Sequence, residues 1–265
     1  MPSPAPIVTL TTDWHRDDFY AGLLLGHLLR IAPNARIIPI SQHITHHNSI
    51  HAAFVLRLAY TGFAPGTVHL CMVGSETCKT RRMLVFELDG HWFVLPDNGM
   101  VGMLSKVSPP PPRAFAMSSG SFGALQAATE AIAAINVNRL GEYPVVHDFK
   151  IQTGSEAAFT EHSITGKIVY IDSYGNAITN ISRQLFEMVG RNRTFEIPII
   201  PGIKIEQIVQ SYHEIEAGDL LALFNSAGLL EIAINMASLA TMYSKAVNDS
   251  VTIQFSDNNF SLTTP

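Results

Sequence analysis

The sequence predicts an α/β fold, with an N-terminal domain of mostly parallel sheet and flanking helices and a smaller C-terminal β-barrel domain. Two observations lead to this prediction. Short β-branched segments alternate with helical segments over the first 145 residues, and a strand–helix–strand–helix–strand order favours a parallel sheet with right-handed crossovers. Beyond about residue 165, nearly every apolar segment has the length and alternation of a strand.

Hydrophobic periodicity and turn residues place the individual elements. Asp17 and Asp18 open an apolar helix, where their charges favour its positive end, and Asp89–Gly90 predicts the turn of a hairpin. We expect N-terminal strands over residues 7–11, 36–40, 67–73, 83–88 and 92–95, and helices over about 17–31, 50–60 and 122–135. We expect C-terminal strands over residues 167–171, 195–199, 220–224, 229–234 and 251–255.

A change of character near residue 144 divides the chain into domains. Residues 1–145 form the predicted α/β domain, and residues 165–265 form the predicted β-barrel domain. Residues 146–164 show no sustained hydrophobic period and are expected to be a linker. A hydrophobic content of 47% over 265 residues can supply a large buried core.

Composition argues against several classes of partner. A formal charge of −5 and a charged fraction of 15% do not favour a nucleic-acid partner, which usually requires a basic face. Cys71 and Cys78 match neither a zinc site nor a disulfide framework, so a cytoplasmic location is expected. No signal peptide and no apolar segment long enough to span a bilayer is visible, so we expect no membrane partner.

Asp13 is the first candidate site residue. It follows the first predicted strand in TLTTD, at the carboxyl end where open α/β sheets bind ligands. A carboxylate there can accept two hydrogen bonds from a ribose diol. The alternative is a cap for the following helix, which residue type and position alone favour because Asp is a common N-cap residue.

Four histidines raise the alternative of a metal site: His43, His46, His47 and His51. A polar loop before a helix is the favoured interpretation, because a metal site needs three or four converging ligands and supporting partners. We therefore predict no metal. The sequence also lacks GxSxG and GxxxxGK[ST], which argues against a Ser–His–Asp hydrolase and a nucleoside triphosphate site.

Two C-terminal segments are rich in side-chain amides: IDSYGNAITNIS (171–182) and FNSAGLLEIAIN (224–235). Asn, Asp, Ser and Gly dominate turns. Two such segments in one small domain are also compatible with a binding site, so both interpretations remain open.

Five motifs, in order over more than 200 residues, carry a resemblance to a known family. They are TLTTDWHRDDFYAG, APGTVHLCMV, LPDNGMVGML, GKIVYIDSYGNAITNIS and FNSAGLLEIAIN. They resemble the opening TLTTDFGxxDxYVG, the strand before the reactive loop, the PDNG motif, GxVxYxDxFGNxITNI and NSxGxLEIAxN of one family. It is the S-adenosylmethionine hydroxide adenosyltransferases, which also include the nucleophilic fluorinase and chlorinase.

The resemblance implies a reaction and a set of roles. A nucleophile displaces methionine from the 5′ carbon of S-adenosylmethionine, and a homotrimer carries its sites between neighbouring subunits. Asp13 would hold the ribose hydroxyls, Asp172 and Asn176 would meet the methionine end, and Ser226 and Asn235 would belong to the adenine and barrel side. S-adenosylmethionine or adenosine is the expected small-molecule partner, as substrate or ligand, and no further cofactor is expected.

The loop VGSETCKTRR departs from the family pattern VDPGVGTxRR. Gly74 replaces the aspartate that helps to activate water, Arg81 keeps its arginine, and Ser119 falls where the family has a histidine. Two members of the catalytic triad are therefore substituted. Glu76 lies two residues beyond the missing aspartate and is a candidate substitute base, while Arg81 can stabilise developing hydroxide. The alternative is that Arg81 and Arg82 are solvated charges after a turn.

Three functions remain open from these residues. The first is hydrolysis of S-adenosylmethionine to adenosine and L-methionine, with Arg81 and Glu76 as catalytic residues. The second is a 5′-halogenase, because the halogenases also lack the aspartate and the histidine, with Thr77, Ser119 and Gly120 near the halide. This ranks lower because Glu76 would repel a halide. The third is a non-catalytic protein that binds S-adenosylmethionine or adenosine.

Overall fold

The structure, a computed structural model, describes residues 5–75, 78–104, 113–118, 123–152, 154 and 156–256. It separates into two compact units, Met1–Gly154 and Ser155–Pro265. The division falls inside the segment 146–164 for which the sequence predicts a linker. Each unit is described by itself.

A seven-stranded sheet forms the centre of the first unit. Its strands are β1 (Ile7–Thr11), β2 (Arg36–Ser41), β3 (Val68–Cys71), β4 (Arg82–Leu88), β5 (His91–Pro96), β6 (Ala114–Ser118) and β7 (Val145–Val146). They are ordered β2-β1-β3-β5-β4-β6-β7. Strands β2, β1, β3 and β5 are parallel, and the remaining pairs are antiparallel. Because β6 again runs with β5, five strands share one direction, and the prediction of a mostly parallel sheet is confirmed.

Helices cover both faces of this sheet. They are α1 (Phe19–Ile31), α2 (Ser49–Ala59), α3 (Met100–Leu104) and α4 (Gly123–Asn136). Leu24 and Leu28 of α1 share one apolar core with the alanine-rich face of α4. Leu56 of α2 and Met100 of α3 belong to a second apolar core. No helix among the described residues is long and apolar enough to cross a membrane.

The second unit is an antiparallel sheet that is nearly closed into a barrel. Its strands are β8 (Ala158–Phe159), β9 (Ser163–Ile171), β10 (Ala177–Ser182), β11 (Thr194–Ile200), β12 (Ile203–Ile205), β13 (Leu220–Phe224), β14 (Leu229–Ile234) and β15 (Ser250–Ser256). Seven follow the order β12-β11-β15-β9-β10-β14-β13, and β8 pairs with β9. The alternating apolar side chains of these strands fill one core, which confirms the predicted barrel-like architecture.

Several elements of this unit were not predicted, namely β8, β10, β12 and two helices. Strand β10 follows the turn in IDSYGNAITNIS, a segment that was interpreted as a turn or a binding site and not as a strand. Helix α5 (Arg183–Gly190) begins where the Ser182 side chain accepts a hydrogen bond from the Leu185 N–H. A short helix α6 (Leu239–Met242) completes the unit.

A buried polar chain crosses the sheet of the first unit. Thr9 Oγ1 lies 2.7 Å from His69 Nδ1, and His69 Nε2 lies 3.2 Å from His91 Nδ1. Nearby, the Tyr60 hydroxyl donates to Asp89 Oδ2 at 2.7 Å. Burial, and secondarily the neighbouring His91, lower the pKa of His69 to about 4. The neutral imidazole is therefore the form that the folded protein favours.

Acid is expected to destabilise the first unit through His69. The unfolded chain binds this proton more readily than the folded one, so the contribution of His69 is complete above pH 6.5 and is lost as the pH falls towards 4. The full loss is about 3 kcal/mol. Urea unfolding at several pH values measures it. His69→Phe should flatten the pH dependence over this interval, whatever it costs at neutral pH. An equal slope in both proteins would show that other groups cause the acid sensitivity.

Candidate active site

The fold places Asp13 just beyond the carboxyl end of β1. The strand ends at Thr11 with a shift of register against β2, and the Asp13 residue is only 5% exposed. Strand β3 ends beside it, since Thr11 pairs with Cys71. Asp13 therefore lies at the edge of the sheet where the loops after neighbouring parallel strands meet.

Two loops bond to a single oxygen of the Asp13 carboxylate. Oδ2 accepts hydrogen bonds from the His47 N–H at 2.8 Å and from the Gly74 N–H at 3.3 Å. His47 Nδ1 lies 3.9 Å from the same oxygen. Oδ1 has no hydrogen-bond partner within the ranges that the structure describes, so it can accept from a ligand.

Asp13 is not a helix cap, and the interpretation as a cap is wrong. The N-cap position of α1 is occupied by Asp18, whose side chain makes no capping hydrogen bond. Asp13 instead accepts from residues 34 and 61 positions away. Local spacing could not reveal these partners, because they depend on how β1, β2 and β3 are paired.

The loop after β3 is built around two unusual backbone positions. Gly74 has φ +63° and Arg81 has φ +49°, both in the left-handed region that favours glycine. Arg81 is exposed, and its N–H donates to the Cys78 carbonyl at 3.0 Å. Ser75 is 7% exposed. The candidates Glu76, Thr77, Ser119 and Gly120 lie outside the described residues.

Arg82, next to Arg81, has a structural role. It donates from Nη2 to Asp97 Oδ2 at 2.6 Å and from Nη1 to Asp148 Oδ1 at 3.1 Å. The Asp97 side chain has no exposed surface, and its Oδ1 accepts from the Lys150 N–H at 2.7 Å. These carboxylates raise the pKa of the Arg82 guanidinium. The interpretation of Arg82 as a solvated charge is wrong, because it neutralises the buried aspartate of the PDNG motif.

The candidate metal ligands do not converge. His43, His46 and His47 are exposed, whereas His51 lies in α2 and its Nδ1 accepts from the Thr45 N–H at 3.2 Å. Within the described ranges, no group of three or more His, Cys, Asp or Glu residues has the arrangement of a metal site.

In the second unit, Asp172 and Asn176 form one compact turn. Asp172 Oδ1 accepts from the N–H groups of Tyr174 and Asn176, both at 2.9 Å, and Oδ2 accepts from Asn176 Nδ2 at 3.0 Å. Gly175 has φ +84°, and a Cβ there would clash with Ser238 Oγ. The turn is therefore held both internally and against the start of α6.

The segment FNSAGLLEIAIN leads to a second polar cluster. Glu231 Oε1 accepts from the Tyr212 hydroxyl at 2.6 Å, and Oε2 accepts from Asn225 Nδ2 at 3.1 Å. Burial, the bond to Glu231, and the charges of Glu231 and Asp172 raise the pKa of Tyr212. Tyr212 was missed from the sequence because no motif surrounds it. Only its folded position beside Glu231 identifies it.

Asn235 and Ser226 differ in their surroundings. Asn235 Nδ2 donates to the carbonyls of Ile215 at 2.7 Å and Tyr212 at 3.4 Å, so its amide holds the segment that carries Tyr212. Ser226 is exposed in the tight turn between β13 and β14. Its side chain is accessible to a ligand.

Known proteins share this fold over nearly the whole chain. The solved structure of an uncharacterized conserved protein from Thermotoga maritima matches with a TM-score of 0.80 and 22% identity, over 94% of this chain and 99% of that one. That of a conserved hypothetical protein from Thermus thermophilus matches with a TM-score of 0.73 and 24% identity, over 95% and 100%. At these identities the matches show the fold alone.

Sequence comparisons identify the family. A protein of Methanocaldococcus jannaschii named (R)-S-adenosyl-L-methionine hydrolase is 29% identical over 252 residues, covering 86% of this chain and 88% of that protein. One of the same name from Thermus thermophilus is 26% identical over 254 residues, covering 87% and 92%. The SAM hydroxide adenosyltransferase N-terminal domain matches residues 8–133, and the corresponding C-terminal domain matches residues 166–252. The chain therefore belongs to the SAM hydroxide adenosyltransferase family.

Proposed function

We propose that this protein hydrolyses S-adenosyl-L-methionine to adenosine and L-methionine by in-line displacement at C5′. The main support is the geometry of the Asp13 carboxylate. Two loops hold it through hydrogen bonds to Oδ2, and Oδ1 can accept hydrogen bonds from a ribose diol. The names of the relatives from Methanocaldococcus jannaschii and Thermus thermophilus support the same activity.

Four residues of the second unit are further proposed ligand contacts, as the resemblance implies. Asp172 keeps one lone-pair site on Oδ2 after its three hydrogen bonds, and with Asn176 it would meet the charged methionine end. Ser226 and Asn235 would lie on the adenine side. The exposure of Ser226 supports a direct contact with the ligand. The Asn235 amide instead donates to the Tyr212 and Ile215 carbonyls, which supports a role in holding the 212–215 segment in place.

The chemistry needs little acid catalysis. The oxygen of water bonds to C5′, the C5′–S bond breaks, and its electron pair stays on sulfur, so methionine leaves as a neutral thioether. The proton of the water is taken by Glu76 or by solvent, and Arg81 stabilises the developing hydroxide. The remaining requirement is positioning of the water and the substrate. The loss of two triad members predicts a slow enzyme.

The proposed assembly is a cytoplasmic homotrimer with sites between subunits, as the resemblance implies. Exposed apolar side chains at the start of α1 support association with further copies, because contiguous exposed apolar surface marks contacts. Phe19 and Tyr20 are in ring contact, and Leu23 lies one turn after Phe19. No cofactor beyond S-adenosylmethionine itself is proposed.

Turnover separates the three functions. Purified protein is incubated with the (S) and (R) sulfonium epimers of S-adenosyl-L-methionine, with and without chloride, and the products are separated by chromatography. Adenosine and methionine from either epimer are expected. Formation of 5′-chloro-5′-deoxyadenosine would instead show a halogenase. Calorimetric binding of S-adenosylmethionine or adenosine without any product would show a non-catalytic binding protein.

Glu76→Gln should lower turnover, because it removes the group proposed to take the proton of the water. An unchanged rate would exclude Glu76 as the base.

A further inference from the structure

Two buried hydroxyls flank Asp13. Buried polar side-chain atoms in proteins almost always have a hydrogen-bond partner. In the part of the chain that the structure describes, two buried side-chain oxygens have none, Thr11 Oγ1 and Ser75 Oγ. Thr11 lies two residues before Asp13, and Ser75 directly follows Gly74, which bonds to Asp13 Oδ2. Both exceptions therefore belong to the edge of the sheet that carries the candidate site.

The two hydroxyls differ in what can reach them. Thr11 is the last residue of β1, pairs with both neighbouring strands and has no exposed surface. Ser75 lies beyond the end of β3, in the loop, and keeps 7% exposure. Its Cα is about 3.8 Å from the Cα of Gly74. Both hydroxyl oxygens are shielded from solvent. Because Ser75 lies in a loop and not within a paired strand, rotation about its Cα–Cβ bond can bring its hydroxyl to a small molecule bound beside Asp13.

An unpaired buried hydroxyl is unfavourable in the free protein. A serine hydroxyl offers one donor and two acceptor sites, and the described neighbours of Ser75 satisfy none of them. A ligand that arrives with its own hydrogen bonds would recover this unfavourable free energy. The same loop contains Gly74 in place of the aspartate of the family pattern, so Ser75 adjoins the position where a water-binding side chain has been lost.

We propose that Ser75 Oγ binds the attacking water, an inference that rests on the hydrolase function proposed above. The hydroxyl accepts a hydrogen bond from the water and leaves an oxygen lone pair directed at C5′. Ser75 takes no proton. The new O–C5′ bond forms as the C5′–S bond breaks, and the proton leaves to Glu76 or solvent.

Ser75→Ala and Thr11→Val form a matched pair of tests, because each removes one unpaired buried hydroxyl. Both are expected to raise the midpoint of thermal unfolding of the free protein by about 2–4 °C, since neither loses a hydrogen bond. Only Ser75→Ala should lower kcat, by about tenfold, with KM and the affinity for adenosine unchanged. Thr11→Val should retain the native kcat.

Several outcomes would overturn this assignment. A lower unfolding midpoint for Ser75→Ala would show that the hydroxyl is bonded within the free protein. An unchanged kcat, an equal fall in kcat for Thr11→Val, or a weaker affinity for adenosine would each show that Ser75 does not hold the nucleophile. If the native protein has no turnover, the hydrolase function fails and this role with it. If the native protein and Ser75→Ala are equally active, the hydrolase function stands and only the role of Ser75 fails.

Discussion

Asp13→Asn is expected to weaken the binding of adenosine about 100-fold. The substitution keeps the size of the side chain but removes its charge and replaces an acceptor oxygen by an NH2 group. The carboxylate accepts from two backbone N–H groups through Oδ2, so the amide must keep its oxygen there and turn its NH2 group towards the ribose. Charge-assisted hydrogen bonds are about twice as strong as neutral ones, and a 100-fold loss corresponds to about 2.8 kcal/mol.

Titration calorimetry with adenosine measures this effect. Asp17→Asn is the matched control, because Asp17 is an exposed carboxylate nearby in sequence, and its substitution should leave the affinity unchanged. Far-ultraviolet circular dichroism of both variants checks that the fold is retained. An affinity for adenosine within twofold of the native value in Asp13→Asn would exclude Asp13 as the ribose-binding residue.

Arg82→Ala is expected to cost about 3 kcal/mol of the free energy of unfolding of the first unit. The Asp97 side chain has no exposed surface and would lose both hydrogen bonds from the guanidinium. Removal of one partner of a buried ion pair typically costs about 3–5 kcal/mol, because the remaining charge stays unpaired. The bond from the Lys150 N–H persists, which places the expected loss at the low end.

Urea unfolding of Arg82→Ala and Arg139→Ala separates a buried pair from an exposed one. Arg139 pairs with Glu142 on the surface, where solvent screens the charges and the net contribution is small. Arg139→Ala should therefore unfold at nearly the native urea concentration. Equal losses in the two variants would mean that the Arg82–Asp97 pair contributes no more than a surface contact.

Local patterns were sufficient for much of the fold. The predicted bounds of β1, β13 and β14 agree with the structure, because each is a short apolar segment closed by turn residues. Strand β10 was missed because its alternation is interrupted by polar residues, and its burial depends on pairing with β9 and β14. The hydrophobic periodicity of one segment does not show which strands will pair with it in the fold.

The candidate site was predictable only in part. Asp13 could be selected from its position after a strand, but the choice between a cap and a ligand-binding carboxylate could not be made from spacing. Arg82 and Asp97 are 15 residues apart, and no short-range rule pairs them. Tyr212 and Glu231 are similarly distant in sequence.

By itself the sequence determined the α/β and β-barrel classes and the family resemblance, since these depend on residue type and order. Only the tertiary structure decided which polar groups are paired. It anchored Asp13 through Oδ2, assigned Arg82 to the buried Asp97, and left Ser75 Oγ without a described partner. The physical reason is that hydrogen bonding and desolvation depend on which atoms strand pairing brings together. The number of residues between two groups in the sequence does not determine the distance between them in the fold.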